Sequence, residues 1–90
     1  MNEIGVFELD ARGLAHPEPL ERSVEILRML DSSSCFHLVI HRYPQPLLMI
    51  AERLEIGFEV CEAGDNEWHI LFCKKNGPDP KELMRRYCGV

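Results

Sequence analysis

The sequence lacks any long hydrophobic run. No apolar stretch approaches the roughly 20 residues that a membrane-spanning helix needs, so we predict no contact with a membrane. The first residues, Met1-Asn2-Glu3-Ile4, carry neither a basic segment nor a long apolar one, and a secretory signal has both. With 90 residues, of which 46% are hydrophobic and 28% charged, the chain has the length and composition of one globular domain. We therefore expect a cytoplasmic protein.

Motifs of catalysis and of cofactor binding are also missing. The sequence contains no G-x-S-x-G, no glycine-rich phosphate loop and no H-E-x-x-H. These absences favour a binding module without a cofactor over an enzyme. A nucleophilic pair of Cys73 and His41 stays open at this point, because a sequence does not show whether the pKa of a thiol is lowered.

The four cysteines do not form C-x-x-C, and no two of them have the spacing of a zinc knuckle. In a cytosolic protein thiols are normally reduced, and reduced thiols are our expectation for this chain. Cys61 and Cys73 lie in apolar segments, where cysteine behaves as a small hydrophobic residue.

Positive charge is scarce in the first 73 residues. Residues 1–73 carry five arginines and thirteen acidic residues, a net charge of −8, whereas residues 74–90 carry +3. An acidic body argues against a nucleic-acid-binding face. The basic end of the chain suits either an acidic partner or a solvated helix whose cations complement its own C-terminal dipole.

One phrase occurs twice in nearly the same form, His-Pro-Glu-Pro-Leu at residues 16–20 and Tyr-Pro-Gln-Pro-Leu at residues 43–47. Each copy follows an apolar run and precedes a helical pattern. Proline fixes φ and has no N–H, so it suits the first turn of a helix, where that N–H has no partner. The repetition predicts two similar strand-to-helix junctions at one edge of a sheet.

Periodicity along the chain predicts the element order β-α-β-α-β-β. The strands are expected at residues 6–9, 36–40, 58–62 and 68–72, and the helices from Pro17 and Pro44, with Gly57 as the C-cap of the second. Right-handed crossovers put both helices on one face of the sheet, which gives a two-layer α/β sandwich with one open face. We predict one domain over residues 1–75 and a tail over 76–90 with a short helix at 81–87.

Leu9-Asp10-Ala11-Arg12-Gly13-Leu14, followed by His16-Pro17-Glu18-Pro19, resembles the opening signature of the TusA/SirA-like proteins. The sequence is most similar to an uncharacterised branch of them, domain of unknown function 2249, through the second Pro-x-Pro-Leu, Gly57-Phe58 and Trp68. The resemblance implies a bacterial-type accessory protein and a fold like the C-terminal domain of initiation factor 3. In that fold two helices pack on a mixed four-stranded sheet of order 1-2-4-3.

The same resemblance implies sulfur metabolism, because TusA-type proteins carry a persulfide on the cysteine of Cys-Pro-x-Pro. This chain has His16 at that position, and an imidazole cannot hold a persulfide. The leading hypothesis is therefore a non-enzymatic module that binds a ligand or a protein. The alternatives are a sulfur-transfer or redox carrier that uses another cysteine, and a metal-binding module.

The candidate ligand site lies where both junctions meet. Ligands bind beyond the carboxyl ends of parallel strands, and helix N-termini offer unpaired N–H groups to anions. A small anionic ligand is the expected occupant. The residues predicted to bind it are His16, Arg12, His41, Arg42 and Tyr43. In the alternative interpretation His16 only caps its helix and Arg12 only pairs with an acid such as Glu18.

Strand alternation places further histidines and cysteines on the open face of the sheet. These residues are His37, His41, His69, Cys61 and Cys73, and their side chains suit Zn²⁺ or copper. The alternative is a half-apolar surface with Val39 and Leu71 at its centre, which would bind a partner protein or form a homodimer.

Overall fold

A computed structural model describes residues 4–88 and contains four strands and three helices. The elements are β1 (Gly5–Asp10), α1 (Glu18–Met29), β2 (Ser34–Ile40), α2 (Gln45–Arg53), β3 (Ile56–Gly64), β4 (Glu67–Lys74) and α3 (Pro80–Cys88). The strands form one sheet of order β1-β2-β4-β3. β1 pairs with β2 in parallel, and the other two pairings are antiparallel. The predicted element order and the mixed four-stranded sheet are confirmed.

The two proline phrases form the junctions that lead into α1 and α2. Pro17 and Pro44 are the N-cap residues, and Pro19 and Pro46 stand in the first turns, where a missing N–H costs no helical hydrogen bond. Because both helices follow parallel strands, their N-termini lie at the same edge of the sheet. The end of α2 differs from the prediction. Glu55, at φ 58°, takes the left-handed conformation, and Gly57 lies in β3.

The core between the sheet and α1 and α2 is built on a row of three aromatic rings. Phe36, Phe72 and Phe58 are direct neighbours across β2, β4 and β3. The ring centroids of Phe36 and Phe72 are 5.4 Å apart, and those of Phe58 and Phe72 are 6.1 Å apart. Leu27 of α1 and Leu47 of α2 belong to the same buried cluster. This row forms the centre of the core on which the two helices pack.

The opposite face of the sheet was expected to be open, and this prediction is wrong. Helix α3 lies on it and buries a second apolar cluster. Leu83 and Met84 of α3 pack there, and the sheet contributes Cys35, Leu71 and Cys73, each fully buried. α3 covers the predicted short helix at 81–87 and extends it by one residue at each end. A homodimer through the remaining part of this face stays a prediction.

The expectation of four reduced cysteines is also wrong, because a disulfide joins Cys61 of β3 to Cys88 of α3. Cys35 and Cys73 are free and buried. The disulfide fastens the last described residue of the chain to the sheet. Among residues 4–88 no helix is long and apolar enough to cross a membrane.

Candidate functional site

A cleft of about 520 Å³ opens between the N-terminal ends of α1 and α2, beyond the carboxyl ends of β1 and β2. Its walls are largely aliphatic. The lining residues are Leu14, Ala15, His16, Pro19, Leu20, Ile40, His41, Arg42, Tyr43, Pro44, Pro46 and Leu47. Both proline phrases therefore contribute to it. The volume falls in the range of roughly 300–1,000 Å³ that is usual for small-molecule sites.

Four of the five predicted ligand residues line this cleft, namely His16, His41, Arg42 and Tyr43. Arg12 does not line it. Its guanidinium donates to both carboxylate oxygens of Asp10, at 2.9 and 2.8 Å, and to Glu67 at 3.0 Å. This pairing lowers the pKa of Asp10 to about 2. The structure thus places Arg12 in an ion pair, although its partners are not the predicted Glu18.

Each helix offers one unpaired backbone N–H beside the cleft. Proline at the second helical position removes a donor, and the N–H groups of Glu21 and Leu48 already bond to Pro17 and Pro44. Within the described residues no backbone carbonyl accepts from the N–H of Leu20 or Leu47. Neither helix has a capping side chain, so the interpretation of His16 as a cap is wrong. The final leucine of each phrase therefore carries a free donor at a positive helix end.

The charge around the cleft is more favourable to an anion at α2 than at α1. The first turn of α2 has no acidic residue, and no carboxylate of residues 4–88 lies within salt-bridge distance of Arg42. The first turn of α1 contains Glu18, whose carboxylate pairs with Arg22 at 2.7 Å. Arg42 is consequently the available cation at this site.

His41 and Tyr43 add polar groups to the aliphatic walls. Nδ1 of His41 is buried and has no hydrogen-bond partner among the described residues. The ring of Tyr43 meets the ring of Trp68 edge to face, with centroids 5.4 Å apart. The single tryptophan of the chain therefore lies next to a cleft residue and can report on binding there.

A second group of polar side chains crosses the face that α3 covers. Nε2 of His37 and Nδ1 of His69 are 2.8 Å apart, and Nε2 of His69 is 2.8 Å from Glu67. Glu8 is 3.5 Å from Nδ1 of His37, and Tyr87 of α3 packs its ring on His37 with a centroid distance of 3.9 Å. We call this set the polar row. Its members are Glu8, His37, His69, Glu67, Arg12 and Asp10.

Sequence reasoning placed His37 and His69 on one face but assigned them to metal binding. In the structure their nitrogens bond to each other and to Glu67 instead. The sulfurs of Cys73 and Cys35 are 2.8 Å apart and fully buried, and burial raises the pKa of both thiols. Over residues 4–88 no three histidine, cysteine or acidic side chains are grouped so that they could hold a metal ion. The diagonal pairing of the two histidines depends on strand register, which alternation alone does not give.

The polar row fixes the protons on both imidazoles. The hydrogen bond from His69 lowers the pKa of Glu67, so this carboxylate is ionised and accepts from Nε2–H of His69. Nδ1 of His69 then accepts from Nε2–H of His37. In this tautomer Nδ1 of His37 carries no proton, and it makes no hydrogen bond although the Glu8 carboxylate lies 3.5 Å away. Burial, with a contribution from His69, lowers the pKa of His37.

This lowered pKa predicts a loss of stability in mild acid. In the unfolded chain His37 binds a proton near its ordinary pKa of 6.5, whereas in the folded chain it does so only at lower pH. Protons therefore favour the unfolded chain, and stability present above pH 6.5 is lost as the pH falls through the folded pKa. Urea unfolding between about pH 7.5 and about pH 5.5 should show this decline. The fall in the free energy of unfolding should be clearly smaller in His37→Asn and unchanged in the control His16→Asn. The same dependence on pH in all three proteins would refute this role of His37.

Comparison with models of protein families shows which family the chain matches. The model of the family of uncharacterized conserved proteins DUF2249 matches residues 8–74. No curated protein and no solved structure matches the chain. The matched region runs from β1 through β4 and includes both proline phrases and every residue that lines the cleft. Because this region is well over half of the chain, the protein belongs to the DUF2249 family.

Proposed function

We propose that this protein is a non-enzymatic binding module that holds a small anionic ligand with an apolar body in the cleft between α1 and α2. One observation carries the proposal. An aliphatic cleft of about 520 Å³ has Arg42 among its lining residues, and no carboxylate of residues 4–88 lies within salt-bridge distance of this arginine. Such a cleft suits an amphiphilic ligand, because its walls bury the apolar part of the ligand and Arg42 pairs with the anionic group.

The expected polar contacts all come from groups without another partner among the described residues. Arg42 supplies the positive charge, and the N–H groups of Leu20 and Leu47 supply two backbone donors. Charge-assisted hydrogen bonds to a carboxylate are stronger than neutral ones, particularly where apolar walls reduce the access of water. His16 and Tyr43 precede the prolines at which α1 and α2 begin. We propose that these two side chains determine which ligand shapes the cleft accepts.

The resemblance to TusA/SirA-like proteins supports this location for the site. His16-Pro17-Glu18-Pro19 occupies the place of their Cys-Pro-x-Pro, and His16 lines the cleft. A histidine cannot carry sulfur as a persulfide, so the proposal at this cleft is binding and not sulfur transfer. A cytoplasmic, bacterial-type accessory role belongs to the same proposal.

Titration with octanoate, monitored by Trp68 fluorescence, tests the proposal. Octanoate should bind saturably, and its neutral counterpart octanamide about tenfold more weakly, a difference of about 1.4 kcal/mol. Arg42→Gln should lose most of this preference for the anion. Arg28→Gln is the matched control, because it removes one exposed arginine at the far end of α1. Equal affinity for octanoate and octanamide, or no saturable response to either, would rule out the anionic ligand.

A further inference from the structure

We propose that Cys61 and Cys88 form a site of thiol–disulfide exchange with a dithiol partner, and that reduction releases α3 from the sheet. Cys61 lies on β3, which is an edge strand, and Cys88 is the last residue of α3. Their Cα atoms are 6.6 Å apart, and both residues are partly exposed. Cys35 and Cys73, in contrast, are fully buried. The chain therefore has one pair of sulfurs that a partner can reach and one that it cannot reach while α3 is in place.

α3 depends on this bond more than a longer helix would. It has nine residues, and an isolated helix of this length is marginal in water. Its described contacts with the second cluster come from Leu83, Met84, Tyr87 and Cys88. Opening the disulfide frees the end of the helix at which Tyr87 covers His37. Reduction would therefore expose the histidine pair and the sulfurs of Cys35 and Cys73.

The two sulfurs of the disulfide lie in different electrostatic surroundings. Cys61 is directly opposite His69 in the register of β3 and β4, so the two side chains are neighbours on one face. The imidazole of His69 is therefore a polar neighbour of the Cys61 side chain. Cys88 stands at the C-terminal end of α3, where the helix dipole disfavours an anion. Cys61 is therefore the better leaving thiolate, and Cys88 is the sulfur that is attacked.

The exchange balances with a dithiol as the reductant. One thiolate of the dithiol attacks Sγ of Cys88, the Cys61–Cys88 bond breaks, and its electron pair leaves on Cys61. The second thiolate then attacks the sulfur of its own molecule in the mixed disulfide, and Cys88 leaves as a thiolate. The dithiol becomes a disulfide, and its two protons pass to Cys61 and Cys88. Two electrons and two protons have moved from the partner to this chain.

The test is alkylation of the full chain with iodoacetamide, followed by mass spectrometry, with dithiothreitol as the dithiol. Before reduction we expect no labelling of Cys61 and Cys88 and slow labelling of Cys35 and Cys73. After reduction Cys61 and Cys88 should react, and labelling of the buried pair should become at least about tenfold faster. Cys88→Ser should show the fast labelling without any reductant.

Three outcomes would overturn the proposal. In the first, peptide mapping after treatment with oxidised dithiothreitol finds no Cys61–Cys88 linkage. In the second, the linkage forms, but its reduction leaves the labelling rate of Cys35 and Cys73 unchanged. Circular dichroism before and after reduction distinguishes release of α3 from global unfolding, and loss of the sheet signal upon reduction also contradicts the proposal. Because all of these comparisons use the unaltered chain, they do not depend on the variant folding.

Discussion

Replacing Phe72 with alanine is expected to lower the free energy of unfolding by about 3–5 kcal/mol, enough to unfold much of a domain of this size. Phe72 is fully buried and is the middle ring of the row that runs from Phe36 to Phe58. Its removal leaves a cavity that two strands and two helices border, and such a cavity closes only partly. Chemical denaturation monitored by circular dichroism measures the loss.

The matched control for this substitution is Val6→Ala. Val6 lies on the edge strand β1 and is 36% exposed, so its truncation should cost less than about 1 kcal/mol. A similar loss for both variants would mean that the aromatic row is not the centre of the core. The cleft would be lost together with the fold in Phe72→Ala, because α1 and α2, which supply its walls, pack on the same core.

Leu83→Asp is expected to have the second large effect, a loss of about 3 kcal/mol or more, because it removes buried apolar surface and places a carboxylate in the second cluster. Leu83 is 8% exposed and packs in that cluster with Met84, Leu71 and the buried cysteines. Binding of a hydrophobic dye should increase as α3 leaves the sheet. The free energy of unfolding from urea titration gives the size of the effect.

Lys81→Asp is the control for Leu83→Asp, since it introduces the same carboxylate at an exposed position of the same helix. We expect a change within about 0.5 kcal/mol for it. If both substitutions lower the free energy of unfolding equally little, α3 is a loosely attached tail and residues 4–77 form the stable domain by themselves. If only Leu83→Asp is destabilising, α3 is part of the folded unit.

The sheet and the first two helices could be predicted from the sequence because their signals are local. Apolar alternation gave the strands, and the paired prolines gave the starts of α1 and α2. α3 was misjudged as a solvated helix because Lys81, Arg85 and Arg86 dominate its composition. Its apolar residues were too few to indicate a buried face. The residues of the sheet indicated that α3 covers it. Leu71 and Cys73 lie on the face away from α1 and α2 and are too apolar for a face exposed to solvent.

The location of the cleft could be predicted for a similar reason, since two similar junctions that follow parallel strands lie at the same edge of the sheet. Arg12 was assigned to it from its nearness in sequence, whereas Asp10, two residues earlier, holds the guanidinium with two hydrogen bonds. The disulfide was missed because Cys61 and Cys88 approach only when α3 crosses the sheet. Neither contact follows from periodicity, because each depends on where a side chain or a helix lies in three dimensions.

Ligand binding in the cleft is measured most directly by the map of backbone amide shifts during a titration with octanoate. If octanoate occupies the cleft, the amide resonances of Leu20 and Leu47 shift together with a single saturation curve, and those of His16 and Tyr43 follow them. Resonances of β3 and α3 should stay in place. Shifts that centre on α3 or on the polar row, with Leu20 and Leu47 unmoved, would contradict a ligand site at the two proline phrases.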